Sequence, residues 1–308
     1  MKKVLVTGGG GFWGRNLVCG LRKIADLDII TLDATRIDYQ DEGVKHLVGD
    51  FSEESLLETV LPDVETVIHV DSTANPANDD YVSDVSRNLL GSVRLIRACE
   101  VLGVKRFLYA SSGGTVYGPT DIVPTDEDQP RNPICSYGIV KMAVENYLAM
   151  AAKRSGMIGL SLRESNIYGP WQNWNERQGA AAVFCHAILS GEEIRLYGGG
   201  LVKRDFLYVD DLVDAYVAAL NYEGDYASVN IGSGSSVSLR ELVKCIEQFT
   251  GLKAKVKFLP SRGCDVPVSQ LNIERARRLL SWRPKTQLED GIANLVAWQR
   301  ENPTVFSK

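Results

Sequence analysis

Short runs of aliphatic and β-branched residues alternate with longer amphipathic stretches along the first half of the chain. The short runs predict strands near residues 3–7, 27–32, 44–48, 65–70, 105–110 and 158–163. The stretches between them predict helices, most clearly near 82–102 and 136–154. Regular strand–helix alternation is typical of a parallel sheet covered by helices on both faces. We therefore predict a doubly wound α/β fold, with its ligand at the carboxyl ends of the strands.

Beyond Pro170 the hydrophobic runs become shorter and lie between polar and aromatic segments. Residues 204–209 predict a strand that leads into a helix at 210–220, and residues 229–231 predict a strand that rejoins the main sheet. Two further helices are predicted near 238–250 and 273–280. These shorter elements indicate a second, smaller region.

The 308 residues are enough for one large or two interleaved domains around a substantial core. We predict a Rossmann-type dinucleotide-binding domain over residues 1–168, rejoined by about 206–233. A smaller α+β substrate domain is predicted from residues 169–205 and 234–308. The two domains are expected to share a cleft.

The first predicted strand runs directly into Gly8, Gly11 and Gly14, with Phe12 and Trp13 between the last two. Gly8 allows a tight turn, Gly11 lets phosphates approach the backbone, and Gly14 lets the following helix pack on the strand. Glycines also collect in ordinary turns, which is the alternative. Because the motif follows a strand and opens a helix, it predicts that a dinucleotide binds at the helix N-terminus, with all five residues in its site.

The second predicted strand ends at Asp33, about twenty residues beyond the glycine loop, where this motif commonly carries an acidic residue. A carboxylate there accepts hydrogen bonds from ribose hydroxyls and repels a 2′-phosphate, so we predict NAD rather than NADP. Nearby Arg36 weakens that distinction, and a plain turn residue is the alternative role for Asp33. Asp50 and Phe51 follow the third hydrophobic run and are predicted to meet the adenine edge.

Composition and charge narrow the possible partners. The chain is 44% hydrophobic and 24% charged, with a net charge of −5 and no basic run. This balance does not suggest nucleic acid or an anionic membrane as a partner. No apolar stretch approaches the roughly 20 residues that span a bilayer. The first strand begins too early to leave room for a signal peptide, so we predict a cytoplasmic protein.

Six cysteines and three histidines are scattered along the chain, with no C-x-x-C spacing and no histidine pair. We interpret the cysteines as reduced thiols and predict no metal site. His69, at the end of the fourth predicted strand, is expected to have a structural role with satisfied hydrogen bonds.

Tyr137 and Lys141 are four residues apart in a predicted helix, which places the phenol and the ammonium on one face. An unperturbed phenol has a pKa of about 10 and is a poor base at neutral pH. The Lys141 ammonium, together with the positive ring of oxidised NAD, would lower that pKa. Lys141 could also hydrogen-bond the nicotinamide ribose. We therefore predict that Tyr137 is a general base.

The strand that ends near residue 110 is followed by a segment rich in hydroxyl groups and glycine, which includes Ser112 and Thr115. In a doubly wound sheet these hydroxyls would lie near the glycine loop. A hydroxyl there can share a hydrogen bond with a substrate oxygen and with the phenol. The alternative is a turn whose serines satisfy their own backbone.

Together these motifs resemble the extended short-chain dehydrogenase/reductases, specifically the nucleotide-sugar epimerases and dehydratases, over almost the whole chain. The matching segments are Thr7–Gly14, Ser111–Gly118, Tyr137–Lys141, Leu162–Pro170, Arg204–Phe206 with Asp210 and Asp211, Asn230–Gly234 and Arg262–Pro267.

The resemblance implies roles for residues that no spacing argument assigns. Asn88 would help to form the cofactor pocket, and Asn166 would hold a substrate phosphate or hydroxyl. Arg204 and Arg262 would grip the nucleotide diphosphate, which suits the forked guanidinium. Asp265 would contact the nucleoside ribose. Without the resemblance, each arginine would be assigned to a surface ion pair.

The chain departs from the family pattern at several positions. Gly113 stands where the family usually has a Ser or Thr, so Ser112, Thr115 or an ordered water must supply the third catalytic group. Asp71 stands where small apolar residues are usual and is expected to reshape the loop over the cofactor. Gly114 and Thr115 stand where the 4,6-dehydratases carry an Asp-Glu pair, which disfavours elimination.

The resemblance therefore implies C4 epimerisation of a UDP-hexose through a transient 4-keto sugar, with tightly bound NAD. Ser269 stands where related epimerases carry a bulky aromatic residue, so UDP-GlcNAc and UDP-GalNAc are predicted as further substrates. A 4,6-dehydratase, a 4-keto reductase, a uronate decarboxylase and a non-catalytic NAD sensor are the alternatives. The resemblance also implies a homodimer through the helices near 82–102 and 136–154, although their apolar residues could instead pack within the monomer.

Overall fold

The computed structural model describes residues 2–37, 43–73, 80–176, 179–261 and 266–306. Its strands, in chain order, are β1 (Lys2–Thr7), β2 (Leu27–Asp33), β3 (Val44–Val48), β4 (Thr66–His69), β5 (Arg106–Ser112), β6 (Ile158–Glu164), β7 (Asn166–Tyr168), β8 (Glu193–Tyr197), β9 (Lys203–Arg204), β10 (Phe206–Tyr208), β11 (Ala227–Ile231), β12 (Val237–Ser238), β13 (Lys255–Leu259) and β14 (Val268–Ser269).

The α-helices are α1 (Phe12–Leu21), α2 (Glu54–Val60), α3 (Tyr81–Ser83), α4 (Leu90–Leu102), α5 (Ser136–Ser155), α6 (Ala180–Ser190), α7 (Val209–Ala219), α8 (Leu239–Thr250), α9 (Glu274–Leu280) and α10 (Leu288–Glu301). A π-helical segment, Asp84–Leu89, joins α3 to α4, and short 3₁₀ turns lie at Trp174–Glu176 and Gly198–Gly200.

Seven strands form the main sheet, in the order β11-β6-β5-β4-β1-β2-β3, and every pair is parallel. The chain begins in the middle at β1, builds outward to β3, and then continues on the other side through β4, β5 and β6. This is the predicted doubly wound arrangement, and β11 joins it as predicted for residues 229–231. The proposed division into two domains stays a prediction.

Each face of the sheet buries its own apolar cluster, as expected for strands covered on both sides. One cluster joins the sheet to α1, α7 and α9, through residues such as Leu17, Leu212 and Ala276. The opposite cluster joins it to α2, α4 and α5 through residues such as Leu57 and Leu95. A third cluster packs α6, α8 and α10 around β8 and β10.

Two predicted elements are interrupted in the structure. The helix predicted at 82–102 contains the π-helical segment, which buries Asp84 and Asn88. The strand predicted at 204–209 is divided into β9 and β10, which belong to different small sheets. Asp205 lies between them, fully buried, and accepts hydrogen bonds from the backbone N–H groups of Ser233 and Leu271. These hydrogen bonds hold Asp205 in place and interrupt the extended strand at this residue.

Some elements were not singled out by the hydrophobic pattern. The C-terminal helix α10 buries Ile292, Leu295 and Val296, and α6 buries several alanines. Both pack against α8. Their apolar faces pack against one another and not against the main sheet. The strand–helix alternation of the main sheet therefore did not predict these helices.

Candidate active site

A cavity of about 970 Å³ lies at the carboxyl ends of the main-sheet strands. The glycine loop, the end of β2, the segment after β5 and the first turns of α5 line one part of it. The end of β6 and the start of β7, together with Arg204 and Ser269, line another part. The carboxyl edge of the sheet thus brings most of the predicted residues into one space, as the doubly wound topology requires.

The glycine loop has the geometry that the sequence predicts. Gly8 has a φ of 78°, in the left-handed region that favours glycine. A methyl group on Gly14 would collide with the carbonyl oxygen of Gly8, whereas one on Gly11 would meet no described neighbour within 3.4 Å. Gly11 is also the N-cap of α1, so the open backbone lies at a helix N-terminus. Phe12 and Trp13 follow it and line the cavity.

The two carboxylate oxygens of Asp33 differ in their hydrogen bonding. Its Oδ1 accepts a hydrogen bond from the Gly10 N–H at 2.9 Å. Its Oδ2 is buried and has no hydrogen-bond partner among the described residues. Burial raises the pKa of the carboxyl, while backbone N–H groups of the glycine loop lower it. An unpartnered acceptor at the end of β2 fits a ribose hydroxyl, so this part of the cavity fits NAD.

Three predicted cofactor residues lie outside the cavity lining. Asn88 is buried, and its Oδ1 accepts a hydrogen bond from the Thr73 N–H at 2.9 Å, which fixes the loop that follows β4. Asp50 accepts a hydrogen bond from the Ser52 N–H. The ring of Phe51 packs edge-on against His69, with the ring centres 4.9 Å apart. The structure therefore does not bring these side chains to the cavity surface.

His69 is a structural residue, as predicted. It is fully buried, and its two ring nitrogens contact the hydroxyls of Thr7 at 2.6 Å and Ser92 at 2.8 Å. Burial lowers its pKa to about 3, so the ring is neutral at physiological pH. The Ser92 hydroxyl donates onward to the carbonyl of Asn88, so these polar groups form one connected chain.

The predicted catalytic group forms at the start of α5. Tyr137 and Ser112 both line the cavity, and the Ser112 hydroxyl lowers the pKa of Tyr137. Lys141 is buried, and its Nζ donates to the carbonyl of Ala110 at 2.7 Å. The same Nζ lies 5.5 Å from the centre of the Tyr137 ring. The helix thus presents phenol and ammonium on one face, as the spacing predicts.

The expected lowering of the Tyr137 pKa does not follow from the Tyr137–Lys141 pair alone. Burial raises the pKa of Tyr137 above its usual value, and the Glu164 carboxylate raises it further, while the hydrogen bond with Ser112 lowers it. Burial is the largest cause, because a phenolate in this position would lose its hydration. The positive charge of oxidised NAD remains the predicted source of the lowering.

The structure explains why glycine occupies position 113. A methyl group there would lie 2.6 Å from a methyl of Leu271 and 3.0 Å from the Arg163 carbonyl. A serine or threonine therefore does not fit without displacing Leu271. Of the two candidate hydroxyls, only that of Ser112 is among the groups that shift the pKa of Tyr137. Thr115 lines the cavity, and its Oγ1 is buried with no partner among the described residues.

Substrate residues predicted by the resemblance lie on the small strands beside the cavity. Asn166 begins β7, and its amide donates to the Asp205 carbonyl at 3.1 Å. Arg204 ends β9 opposite Ser269 on β14, and its guanidinium donates to the carbonyls of Lys203 and Val266. All three line the cavity. The predicted Arg262 and Asp265 lie outside the described residues.

A buried ion pair beneath the site was not predicted from the sequence. Glu145 on α5 accepts two hydrogen bonds from the Arg163 guanidinium, at 3.0 and 2.7 Å, and one from the Ser111 hydroxyl. Arg163 also donates to the Tyr117 hydroxyl at 2.9 Å. Glu145 follows Lys141 by one helical turn, and that spacing indicates only that its carboxylate lies on the same face of α5. The pair ties α5 to β6 under the catalytic group.

Trp171 and Gln172 line the cavity and had no assigned role. Trp171 has a φ of 69°, and the Arg15 guanidinium lies 3.8 Å from the centre of one of its rings. Gln172 donates to the Ile167 carbonyl, while its Oε1 is buried without a partner among the described residues. The polar and aromatic run after Pro170 is the sequence signal for this part of the cavity wall.

Asp71, the second departure from the family pattern, also lines the cavity. A methyl group on Gly8 would lie 2.9 Å from the Asp71 backbone, so this loop packs directly against the glycine turn. Burial raises the pKa of Asp71 to about 6, helped by the Asp33 and Asp50 charges and opposed by Lys141. Asp71 thus lies over the glycine loop, and the expected reshaping of this loop stays a prediction.

No group of three or more His, Cys, Asp or Glu side chains among the described residues could hold a metal ion. None of the helices in this part of the chain has the length and apolar character needed to cross a membrane.

Known proteins share the sequence motifs and the fold. Residues 4–232 match the family described as the NAD dependent epimerase/dehydratase family. The chain belongs to this family. Membership confirms the predicted family and, because the family is NAD-dependent, the predicted cofactor.

Two curated members of the family align with nearly the whole chain. A UDP-glucose 4-epimerase of Mycolicibacterium smegmatis is 33% identical, covering 97% of this chain and 98% of its own. A dTDP-4-dehydro-6-deoxyglucose reductase of Escherichia coli is also 33% identical, covering 95% and 96%. Similar sequences in the family thus carry different reactions.

A solved structure agrees with the fold. The UDP-glucose 4-epimerase of Thermotoga maritima, solved with UDP-glucose, has a TM-score of 0.93 and 32% identity. The match covers 98% of this chain and 99% of that one. It confirms the predicted doubly wound fold.

Proposed function

We propose that this family member interconverts the C4 epimers of a UDP-hexose, UDP-glucose and UDP-galactose, with tightly bound NAD. The observation that carries the proposal is that Tyr137, Ser112 and Lys141 line one cavity together with the glycine loop. Epimerisation at C4 needs one base and a returning hydride, and no second acid–base pair.

The proposed roles follow from these contacts. Tyr137 takes the proton of the 4-hydroxyl, and Ser112 shares its hydrogen bond with the phenol and the substrate oxygen during the transfer. Lys141 adds positive charge beside the phenol. When bound, NAD supplies the acceptance of hydride from C4 and its return to the opposite face of the 4-keto sugar. Asp33 and the glycine loop hold the cofactor in place.

We assign the nucleotide end of the substrate to Asn166 and Arg204, with Arg262 and Asp265 as predicted further contacts. Arg204 and Ser269 occupy opposite positions in one strand pair, which supports a common role at the substrate. Ser269 is small, and we propose that it leaves space for a 2-acetamido group. UDP-GlcNAc and UDP-GalNAc are therefore proposed as additional substrates.

The test is turnover of UDP-galactose by the purified protein and by Tyr137→Phe. We expect the parent to equilibrate UDP-galactose with UDP-glucose and Tyr137→Phe to lose about 10²-fold or more in kcat. Tyr147→Phe is the matched control, because Tyr147 lies on the same helix, is exposed and does not line the cavity. Unchanged turnover in Tyr137→Phe would refute the mechanism.

A 4-keto reductase is the second candidate, favoured by the equal identity to the Escherichia coli reductase. It is distinguished by incubating the protein with a dTDP-4-keto-6-deoxyhexose and NADH. Stoichiometric oxidation of NADH, without epimerisation of UDP-hexoses, would favour this reaction. Assays with UDP-glucuronate test for decarboxylation, and assays with UDP-glucose test for dehydration. NAD binding without turnover of any of these substrates would favour a sensor.

We also propose a homodimer. Exposed apolar side chains lie along the two helical regions that the family resemblance places at a dimer contact, among them Val82, Val85, Leu90, Ile139 and Met150. Pairing of these faces between two chains would remove them from water. Sedimentation equilibrium should give twice the mass of the chain, and a monomer at all concentrations would refute the proposal.

A further inference from the structure

Arg15 lines the cavity, and neither the glycine motif nor the family resemblance gives it a role. It follows the N-cap of α1, Gly11, by four residues, and its N–H donates to the Gly11 carbonyl at 3.0 Å. Residues four apart share one face of a helix, and helical side chains lean towards the helix N-terminus. Arg15 therefore lies on the face of α1 that carries the open backbone of Gly11.

An aromatic ring holds the Arg15 guanidinium in place. Its Cζ lies 3.8 Å from the centre of a Trp171 ring, within the range in which an aromatic face attracts a cation. The segment that carries Trp171 is itself attached to α1, because the Asn16 amide donates to the Pro170 carbonyl at 3.0 Å. Helix α1 and the segment after β7 thus fix the guanidinium between them at the cavity wall.

The backbone of Trp171 adopts a conformation that is rare for a bulky residue. Its φ of 69° lies in the left-handed region, which favours glycine. The ring of Trp298, on α10, packs against it with the ring centres 5.2 Å apart. Strain of this kind persists where the surrounding packing imposes it, and it is concentrated at ligand sites. A tryptophan at this position indicates a use for its ring, and the contact with Arg15 supplies one.

The charges along the cavity favour an anion beside Arg15. Among the described residues that line it, the cationic side chains are Arg15, Lys141 and Arg204. Lys141 donates to the Ala110 carbonyl near Tyr137, and Arg204 lies on β9 beside the proposed substrate residues. Arg15 is thus the lining cation that the helix of the glycine loop carries. Because the helix dipole disfavours a cation near its N-terminus, a bound anion would relieve that cost.

We propose that Arg15 binds the pyrophosphate of NAD and that Trp171 is the positioning residue that holds its guanidinium. The forked guanidinium donates to phosphate oxygens, in addition to the backbone N–H groups of the glycine loop. Since the ring fixes the guanidinium before the cofactor arrives, less conformational freedom is lost on binding. Because the family is NAD-dependent, this role holds whichever reaction the protein catalyses.

The first test measures cofactor binding and needs no turnover. NAD is titrated calorimetrically into the cofactor-stripped parent, Arg15→Gln and the control Arg22→Gln. Arg22 is exposed, at the opposite end of α1 and outside the cavity lining. We expect Arg15→Gln to lose NAD affinity at least about 10-fold and the control to bind like the parent. Unchanged NAD affinity in Arg15→Gln would overturn the proposal, and Arg15→Met gives the same comparison if Arg15→Gln does not fold.

The proposed substrate also carries a diphosphate, and two further titrations distinguish the two sources. ADP, which contains the adenosine diphosphate part of NAD, should lose affinity in Arg15→Gln as NAD does. UDP, titrated in the presence of saturating NAD, should bind Arg15→Gln as tightly as the parent. Weaker UDP binding with unchanged affinity for NAD and ADP would assign Arg15 to the substrate and overturn its assignment to the cofactor.

The role of Trp171 is tested in both backgrounds. Trp171→Gly removes the ring and suits the left-handed backbone. If the ring acts through Arg15, this change should weaken NAD binding in the parent and add no further loss in Arg15→Gln. Trp171→Phe keeps a ring that attracts a cation less strongly, so its loss should be smaller, and it replaces Trp171→Gly if that variant does not fold. Equal losses in the two backgrounds would overturn the positioning role.

Discussion

The Gly10 N–H donates to Oδ1 of Asp33 across 2.9 Å, which joins the glycine loop to the end of the second strand. One carboxylate oxygen thus orders the loop, and the other is buried without a partner among the described residues. The same side chain therefore shapes the cofactor site and offers it an acceptor.

Replacement of this carboxylate should weaken NAD retention and reduce discrimination against NADP. Asp33→Ala removes both acceptors, and charge-assisted hydrogen bonds of this kind contribute about 1.5–3 kcal/mol, so we expect NAD affinity to fall at least about 10-fold. Calorimetric titration of the cofactor-stripped protein with NAD and NADP measures both effects. Asp28→Asn, on the same strand but outside the cavity, is the control. NAD binding that is equally tight in Asp33→Ala would contradict this assignment.

The two candidate hydroxyls should behave differently on substitution. Ser112→Ala removes the hydroxyl that we propose shares a hydrogen bond with Tyr137 and the substrate, and we expect kcat to fall about 10²-fold or more. Thr115→Val removes a buried hydroxyl that has no described partner, so stability should be unchanged or higher by about 1 kcal/mol. We expect kcat to change little in this variant. Steady-state kinetics and thermal melts compare the two, and a larger loss of kcat in Thr115→Val would reverse the assignment.

The small side chain at position 269 should control the size of the accepted sugar. Ser269→Tyr fills space beside Arg204 at the cavity wall, so we expect turnover of UDP-GalNAc to fall by at least about 10-fold while UDP-galactose is still used. The ratio of kcat/KM for UDP-GalNAc to kcat/KM for UDP-galactose measures this selectivity. Ser236→Ala, outside the cavity lining, serves as a control. Rejection of N-acetylated sugars by the parent would remove the hypothesis.

The ion pair beneath the site should matter for stability. Arg163 is 3% exposed and Glu145 is fully buried, so Arg163→Met leaves a poorly compensated charge and should cost about 3–5 kcal/mol. Arg131 contacts the same carboxylate at 3.0 Å, but its side chain is 29% exposed. Arg131→Met should therefore cost only about 0–1 kcal/mol. Urea denaturation of the three proteins tests the difference, and equal losses would argue against it.

Local sequence patterns predict much of the fold and of the candidate site. The glycine loop, Asp33 and the Tyr137–Lys141 spacing each depend on residues close together in sequence, or on strand ends that a parallel sheet must align. The central strands were therefore predictable within a few residues. The short strands β9 and β10 were not, because the buried Asp205 that separates them is held by residues from distant segments.

Side-chain placement required the folded chain. Asp50 and Phe51 follow β3, whose carboxyl end lies at the edge of the sheet that forms the cavity. Their side chains nevertheless contact Ser52 and His69. Ser112 and Thr115 could not be distinguished from spacing alone, because either hydroxyl could face the phenol. Leu271, which is distant in sequence, packs against Gly113 and leaves no room there for a third hydroxyl.

The order of strands, helices and glycines along the chain determined the fold class, the cofactor and the pairing of a phenol with an ammonium, because these depend on periodicity and local geometry. Only the tertiary structure decided how those groups ionise. Glu164 and Tyr216 are 52 residues apart, and their hydrogen bond joins the end of β6 to α7 at the cavity. Burial and charge at that meeting point arise from the packing of distant segments, which no local pattern records.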